Sequence, residues 1–193
     1  MMNPSAGSRA AAVQHIILTG PPGIGKTTII KKVCSELQQK NIPIKGFYTT
    51  ELREGGKRIG FDVVALSGET SSLARVGGGV GPRVGQYVVH LKSFESVALP
   101  IFQSPNNEGI IVIDEIGKME LLSKSFETAT ERAFSTSSTI LGTIPIQKGK
   151  PIRLVELVRS HPSVRLMTVS ELFYNNVLMN RTTCKFFSFL SSG

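Results

Sequence analysis

The 193-residue chain predicts a single α/β domain: a mostly parallel sheet with helices on both faces and antiparallel hairpins added to it. Three observations carry this. Strand-length apolar runs alternate with stretches of helical periodicity. One run, Ile110-Ile111-Val112-Ile113, is continuous, the mark of a strand buried on both faces. Another, His15-Ile16-Ile17-Leu18-Thr19, passes through a glycine turn into a segment with Ile29, Ile30, Val33 and Leu37 at helical spacing.

That glycine turn is Gly20-Pro21-Pro22-Gly23-Ile24-Gly25-Lys26-Thr27, followed by Thr28. It fits the phosphate-binding loop pattern of Gly, four residues, Gly, Lys and Ser or Thr. Such a turn points successive backbone N–H groups into one concavity, which is an anion site. The helix it opens adds free N–H groups and a positive dipole end. Lys26 would bridge the β- and γ-phosphates, and the Thr27 hydroxyl would take one Mg²⁺ position. A chance glycine turn is the plain alternative; the strand before and the helix after argue against it.

The remaining elements follow in order. Asn41-Ile42-Pro43 breaks the first helix. Residues 44–52 and 58–66 read as strands joined at Gly55-Gly56, a hairpin signal. The glycine-rich stretch 77–82 reads as a flexible linker, since it lacks a following helix and a lysine. Ser93 is placed as an N-cap, with Phe94, Val97, Ala98 and Ile101 on one face and Pro100 ending or kinking the helix. After the strand at 110–113 comes a helix capped by Ser123, with Phe126, Ala129 and Ala133 inward. Residues 139–144 form a strand stopped by Pro145, 152–159 a helix, and 163–169 the last strand. Residues 1–14 and 170–193 are set apart, as a flexible tail and a tail of unassigned structure flanking a domain at 15–169.

Net charge is +8, from few acids rather than from basic runs. A positive field steers polyanions such as nucleotides. Nucleic acid is not the favoured partner, because no basic–aromatic stripe appears. Neither cysteine, Cys34 nor Cys184, has metal-site or C-x-x-C spacing, so a reducing, cytoplasmic compartment is expected. No stretch approaches the ~20 apolar residues of a membrane span. A monomer is expected.

The apolar run 110–113 ends in Asp114-Glu115, the form of a Walker B segment. Ligands of open α/β sheets bind at the carboxyl ends of the strands. Asp114 would hold Mg²⁺, directly or through water. Glu115 would orient or deprotonate the water that attacks the γ-phosphate. Thr143, at the end of the following strand, is a candidate contact to the γ-phosphate or that water; an ordinary strand threonine is the alternative. The candidate catalytic residues are thus Glu115, Lys26 and Thr143, and the metal ligands Thr27 and Asp114. The nucleotide-binding set is Gly20, Pro21, Pro22, Gly23, Ile24, Gly25, Lys26, Thr27 and Thr28 with Ile111, Val112, Ile113, Asp114, Glu115, Ile116, Gly117 and Lys118. Arg58, Arg75 and Arg83 are candidates for an arginine that stabilises transition-state charge. Asp114-Glu115-Ile116-Gly117 also satisfies a GTPase-like D-x-x-G. No Asn/Thr-Lys-x-Asp element accompanies it, so dedicated guanine specificity has no support.

These segments, with Gly46-Phe47-Tyr48-Thr49, Gly60-Phe61-Asp62-Val63-Val64, Val84-Gly85-Gln86-Tyr87-Val88-Val89, Asp114-Glu115-Ile116-Gly117-Lys118-Met119-Glu120-Leu121 and Gly142-Thr143-Ile144-Pro145, resemble the THEP-type nucleoside-triphosphatases. The resemblance covers about residues 14–169. It implies a RecA-like P-loop NTPase fold, with an additional strand and a catalytic Glu. It also implies slow Mg²⁺-dependent hydrolysis of ATP, GTP, CTP and UTP to NDP and phosphate. The chain departs from the family after Val169, where Ser170-Glu171-Leu172-Phe173-Tyr174 replaces an Asn-Arg-Asn or Asn-Arg-Asp element. Two other classes remain open on the sequence: a small-molecule or nucleotide kinase on the same loop, and an NTP-dependent regulatory or nucleic-acid-binding module.

Overall fold

A computed structural model describes residues 13–77, 79–103 and 109–170. One nine-stranded sheet runs through them, in the order β5-β6-β4-β3-β2-β7-β8-β1-β9. The strands are β1 (His15–Thr19), β2 (Ile44–Glu54), β3 (Lys57–Ala65), β4 (Thr70–Val76), β5 (Arg83–Val84), β6 (Tyr87–Val89), β7 (Ile110–Asp114), β8 (Thr139–Thr143) and β9 (Val164–Thr168). From β2 to β9 the pairing is parallel. From β2 outward through β3, β4, β6 and β5 it is antiparallel.

Among the described residues the α-helices are α1 (Lys26–Gln39), α2 (Leu91–Ala98), α3 (Lys124–Ala133) and α4 (Arg153–Ser160). Two separate cores follow from strand alternation. Ile16 and Leu18 of β1, Val112 of β7 and Leu141 of β8 pack with Ile29, Ile30, Val33 and Leu37 of α1. Their neighbours Ile17, Ile111, Ile113 and Ile140 join the other core, with Phe94 of α2, Phe126 of α3 and Leu154 of α4. Phe94 meets Phe126 edge-on, ring centroids 5.0 Å apart. Both faces of the parallel strands are thereby covered, which is why they read as unbroken apolar runs. Cys34 is a buried member of the α1 core, and burial pushes its thiol up to about 12.

Three expectations are corrected. The second helix begins at Leu91, so Ser93 lies in its first turn and caps nothing; the N-cap is His90, whose Nδ1 hydrogen-bonds the Ser72 hydroxyl. The α3 helix is capped by Ser123, which accepts from the Phe126 N–H, but its buried face is Phe126, Thr130 and Ala133. Ala129 is only half-buried, because i, i+4, i+7 spacing selects Thr130. The stretch after β4 is tied back onto the sheet rather than free: β5 pairs with β6, Val89 N–H donates to Pro82 O, and Arg83 donates to Gly77 O. The expected tails lie outside the described residues except at 13, 14 and 170. No helix among the described residues is long and apolar enough to cross a membrane.

Candidate active site

The site forms where β1, β7 and β8 end together. The turn after β1 has Gly20, Gly23 and Gly25 at positive φ, a geometry that side-chain-bearing residues rarely adopt. It delivers the chain into α1 at Lys26. Lys26 is 9% exposed, and its ammonium donates to Gly20 O at 3.1 Å and Pro21 O at 3.4 Å. It also faces the Glu115 carboxylate at 3.8 Å.

Asp114 is the last residue of β7 and is 1% exposed. Thr143, the last residue of β8, donates its hydroxyl to Asp114 Oδ1 at 2.5 Å. Among the described residues, Asp114 Oδ2 is buried with no hydrogen-bond partner. Burial raises the Asp114 pKa; hydrogen bonding from Thr143 and Thr27, then the charges of Lys26 and Lys31, oppose it. Thr27 is therefore close enough to stabilise the carboxylate charge without satisfying Oδ2.

Glu115 is partly exposed, and burial again raises its pKa, against the pull of Lys26 and with the push of Asp114. A third acid closes the cluster. Glu120 opens a 3-10 helix, Glu120–Leu122, and is 6% exposed. Burial first, and the Glu115 charge second, push its carboxyl up to about 8. Gly117 lies between the two glutamates: a Cβ there would meet Glu115 Oε1 at 2.7 Å and Glu120 Oε2 at 3.0 Å. From the sequence Glu120 stands only as an alternative base should Glu115 not be one, since it sits six positions past Asp114 with no spacing rule to tie it to the site.

A cleft of about 760 Å³ opens over these groups. Gly20, Pro22, Gly23, Gly25, Lys26, Thr27 and Thr28 line it from the loop, and Asp114, Glu115, Lys118 and Glu120 from the end of β7. Ile111, Val112, Ile113 and Ile116 lie in the hydrophobic cores instead, where they fix the position of the acids. Pro21, Ile24, Gly117 and Thr143 are not on the cleft wall; Thr143 acts through Asp114. Of the three candidate arginines, only Arg58 lines the cleft. Arg75 is committed to Asp62 Oδ1 at 2.5 Å and to the carbonyls of Phe61 and Ala74. The segment after β8 adds Lys148 and Lys150, and the β2–β3 hairpin adds Glu51 and Arg53.

Comparison with known proteins decides the family. A family model described as NTPase matches residues 15–180, running past Val169. The chain belongs to the THEP-type nucleoside-triphosphatase family. It is 48% identical over 182 residues to the cancer-related nucleoside-triphosphatase of Homo sapiens, covering 89% of this chain and 96% of that protein. It is 41% identical to the nucleoside-triphosphatase THEP1 of Thermofilum pendens, covering 82% and 88%. The solution structure of a human cancer-related nucleoside triphosphatase superposes with a TM-score of 0.76, covering 91% of this chain and 99% of that one. The crystal structure of THEP1 from Aquifex aeolicus, 30% identical, gives 0.77 with coverage of 92% and 99%.

Proposed function

We propose that the chain hydrolyses nucleoside triphosphates to NDP and phosphate, with Mg²⁺ as cofactor and little discrimination among bases. The observation that carries this is the convergence of Lys26, Asp114, Glu115 and Thr143 at the mouth of one glycine turn. The RecA-like reading is supported by the strand order, in which β8 stands between the phosphate-loop strand β1 and the acid-bearing β7.

The buried, unpartnered Asp114 Oδ2 is the test of whether a dication fits. An orphaned anionic oxygen beside a phosphate loop is a group that a hydrated cation satisfies, and Thr27 and Asp114 are the residues to hold it. When bound, Mg²⁺ supplies neutralisation of charge on the β- and γ-phosphate oxygens. The chain's own residues do the rest. Backbone N–H groups at the start of α1 cradle the phosphates. Lys26 leaves Glu115 and turns its ammonium to the β/γ-phosphates. Thr143 fixes the Asp114 rotamer through Oδ1. Glu115 accepts a hydrogen bond from the attacking water and takes its proton as the bond to the γ-phosphorus forms, while the bond from that phosphorus to the β-bridging oxygen breaks and NDP leaves with the electron pair. Base tolerance is supported by the lack of any Asn/Thr-Lys-x-Asp element.

The deciding experiment is phosphate release from ATP, GTP, CTP and UTP with and without Mg²⁺. Expected are turnover only with the metal and efficiencies within roughly one order of magnitude, a gap of about 1.4 kcal/mol. A thousandfold preference for one base, or full activity in chelator, overturns the reading.

A further inference from the structure

The cleft is lined by more cations than a phosphate loop needs, and most of them are engaged. Lys26 belongs to the loop and faces Glu115. Lys31 lies over the Tyr48 ring at 4.0 Å. The β2–β3 hairpin runs on past the last β2–β7 pair, Tyr48 opposite Asp114, and carries Arg53 and Arg58. Both are held by Glu51; Arg53 also donates to Gly56 O, and Arg58 is bonded to Tyr87. Among the described residues, the cleft cations with no hydrogen bond or ion pair are Lys118, Lys148 and Lys150. Lys118 is carried by the turn after Glu115, on the wall that already holds the acids.

Lys148 and Lys150 ride on a strap, residues 145–151, that joins β8 to α4. Its ends are fixed. Ile144 donates its N–H to Leu18 O at 2.9 Å, and Arg159 donates to Pro145 O at 3.0 Å. At the other end Ile152 leads into α4, whose Leu154, Val155 and Val158 are buried. Between these anchors residues 146–150 are exposed and make no hydrogen bond among the described residues. Gly149, at φ 70°, turns the chain between the two lysines.

The sheet determines where the strap emerges. β8 lies between β1, which leads into the phosphate loop, and β7, which ends on Asp114. Thr143 closes β8 and is bonded to Asp114. The chain leaving Thr143 therefore passes between the loop and the acids, beside the place a γ-phosphate must occupy to meet Lys26 and Glu115. As that phosphoryl group moves, charge is spread over its equatorial oxygens. Asp114 and Glu115 repel this charge, and Lys26 approaches it from the loop side only. A compact ammonium on a flexible stem, with no partner to give up, is readily turned toward it.

We infer that Lys148 and Lys150 are catalytic residues that form a cationic clamp on the γ-phosphoryl oxygens in the transition state. They take the role for which the sequence offers arginines. Their ammonium groups donate hydrogen bonds to the phosphoryl oxygens as the group passes from the β-bridging oxygen to water, and no covalent step is added. The inference rests on the hydrolysis proposed above, and the assay separates the two.

Phosphate release from MgATP is measured on the full chain and on Lys148→Ala/Lys150→Ala and Lys148→Arg/Lys150→Arg. Both lysines are exposed on coil, so melting temperatures should match the wild type. In the double alanine variant kcat should fall about a hundredfold or more with KM little changed, since loss of one such donor typically costs about 10²–10³-fold. The double arginine variant keeps both charges and should recover most of the loss. Calorimetry adds a readout that a structural strap would not move. Affinity for MgADP should be unchanged, while affinity for MgADP with aluminium fluoride, a mimic of the phosphoryl group in transfer, should drop roughly tenfold or more. A kcat in the double alanine variant within about threefold of wild type overturns the clamp and leaves the hydrolase standing. So does a loss confined to KM, or equal weakening of both ADP complexes, since the lysines would then hold only ground-state nucleotide. An arginine variant as slow as the alanine one overturns it as well. No phosphate release from the wild type overturns the hydrolase reading, and the clamp falls with it.

Discussion

In the parallel half of the sheet the strands stop at the cleft; in the antiparallel half one hairpin runs past it. The parallel strands β7 and β8 end on Asp114 and Thr143, both almost fully buried and bonded to each other. The hairpin ends on Glu51, Arg53 and Arg58, partly exposed and paired through water-accessible contacts. Buried polar groups are costly to disturb, whereas exposed ion pairs contribute little. The two halves should therefore respond differently to mutation: chemistry is lost in the first and kept in the other.

The largest effect is expected at Glu115. Glu115→Gln keeps the shape of the side chain and removes its basicity, so single-turnover phosphate release should fall about 10²–10⁴-fold. MgATP affinity measured by calorimetry should be at least that of the wild type, because Lys26 is freed. Near-wild-type cleavage would falsify the water-activating role.

Gly117→Ala comes next. Its methyl group would press on both glutamates. Displacement of a catalytic group by about 1 Å costs up to ~10²-fold, so kcat should fall into that range with nucleotide affinity little changed. A kcat within twofold of wild type would mean that Glu115 tolerates the shift and is not the aligned base.

Glu120 sharpens the comparison through pH. The folded protein keeps this proton up to about pH 8, whereas an unfolded carboxyl loses it near 4.5. Between those values the folded state binds more protons, so wild-type stability falls as pH rises, then levels off above about 8. The slope is ~1.4 kcal/mol per pH unit for one proton. In Glu120→Gln that contribution disappears. Urea midpoints measured from pH 5 to 9 without metal should show the flatter profile; identical slopes would mean that Glu120 is ionised in the fold.

The smallest effect on turnover is expected at Arg75, within twofold on mutation to Ala. Its cost appears in stability instead, about 1–3 kcal/mol, since Asp62 and two carbonyls lose their donor. A hundredfold loss of kcat without a change in melting temperature would return Arg75 to the list of charge-stabilising arginines.

The same division explains what could be read without the fold. The glycine turn, Lys26 and the acids at the end of an apolar run are contiguous signals, and each lies in the element expected. The hairpin was also legible as two strands around Gly55-Gly56. Its overhang was not, because that depends on the register of Tyr48 against Asp114, a relation between segments 66 residues apart in the chain. Arg53 and Arg58 become neighbours by cross-strand pairing, which no local pattern announces. Ser93 and Ala129 were misplaced for a simpler reason. Residue type was followed where tertiary packing decides: His90 enters the helix already bonded to Ser72, and Thr130 fills the buried position that a hydrophobic count gives to Ala129.

The 3.8 Å contact between Lys26 and Glu115 makes the resting site an interlock. On the proposed roles, the cation that recognises phosphate and the base that handles water restrain each other until a polyphosphate arrives. The incoming charge must outbid the carboxylate for the ammonium, which weakens nucleotide affinity. In return the base is released only when there is a phosphorus to attack, so arrival of substrate is itself the trigger that arms the site.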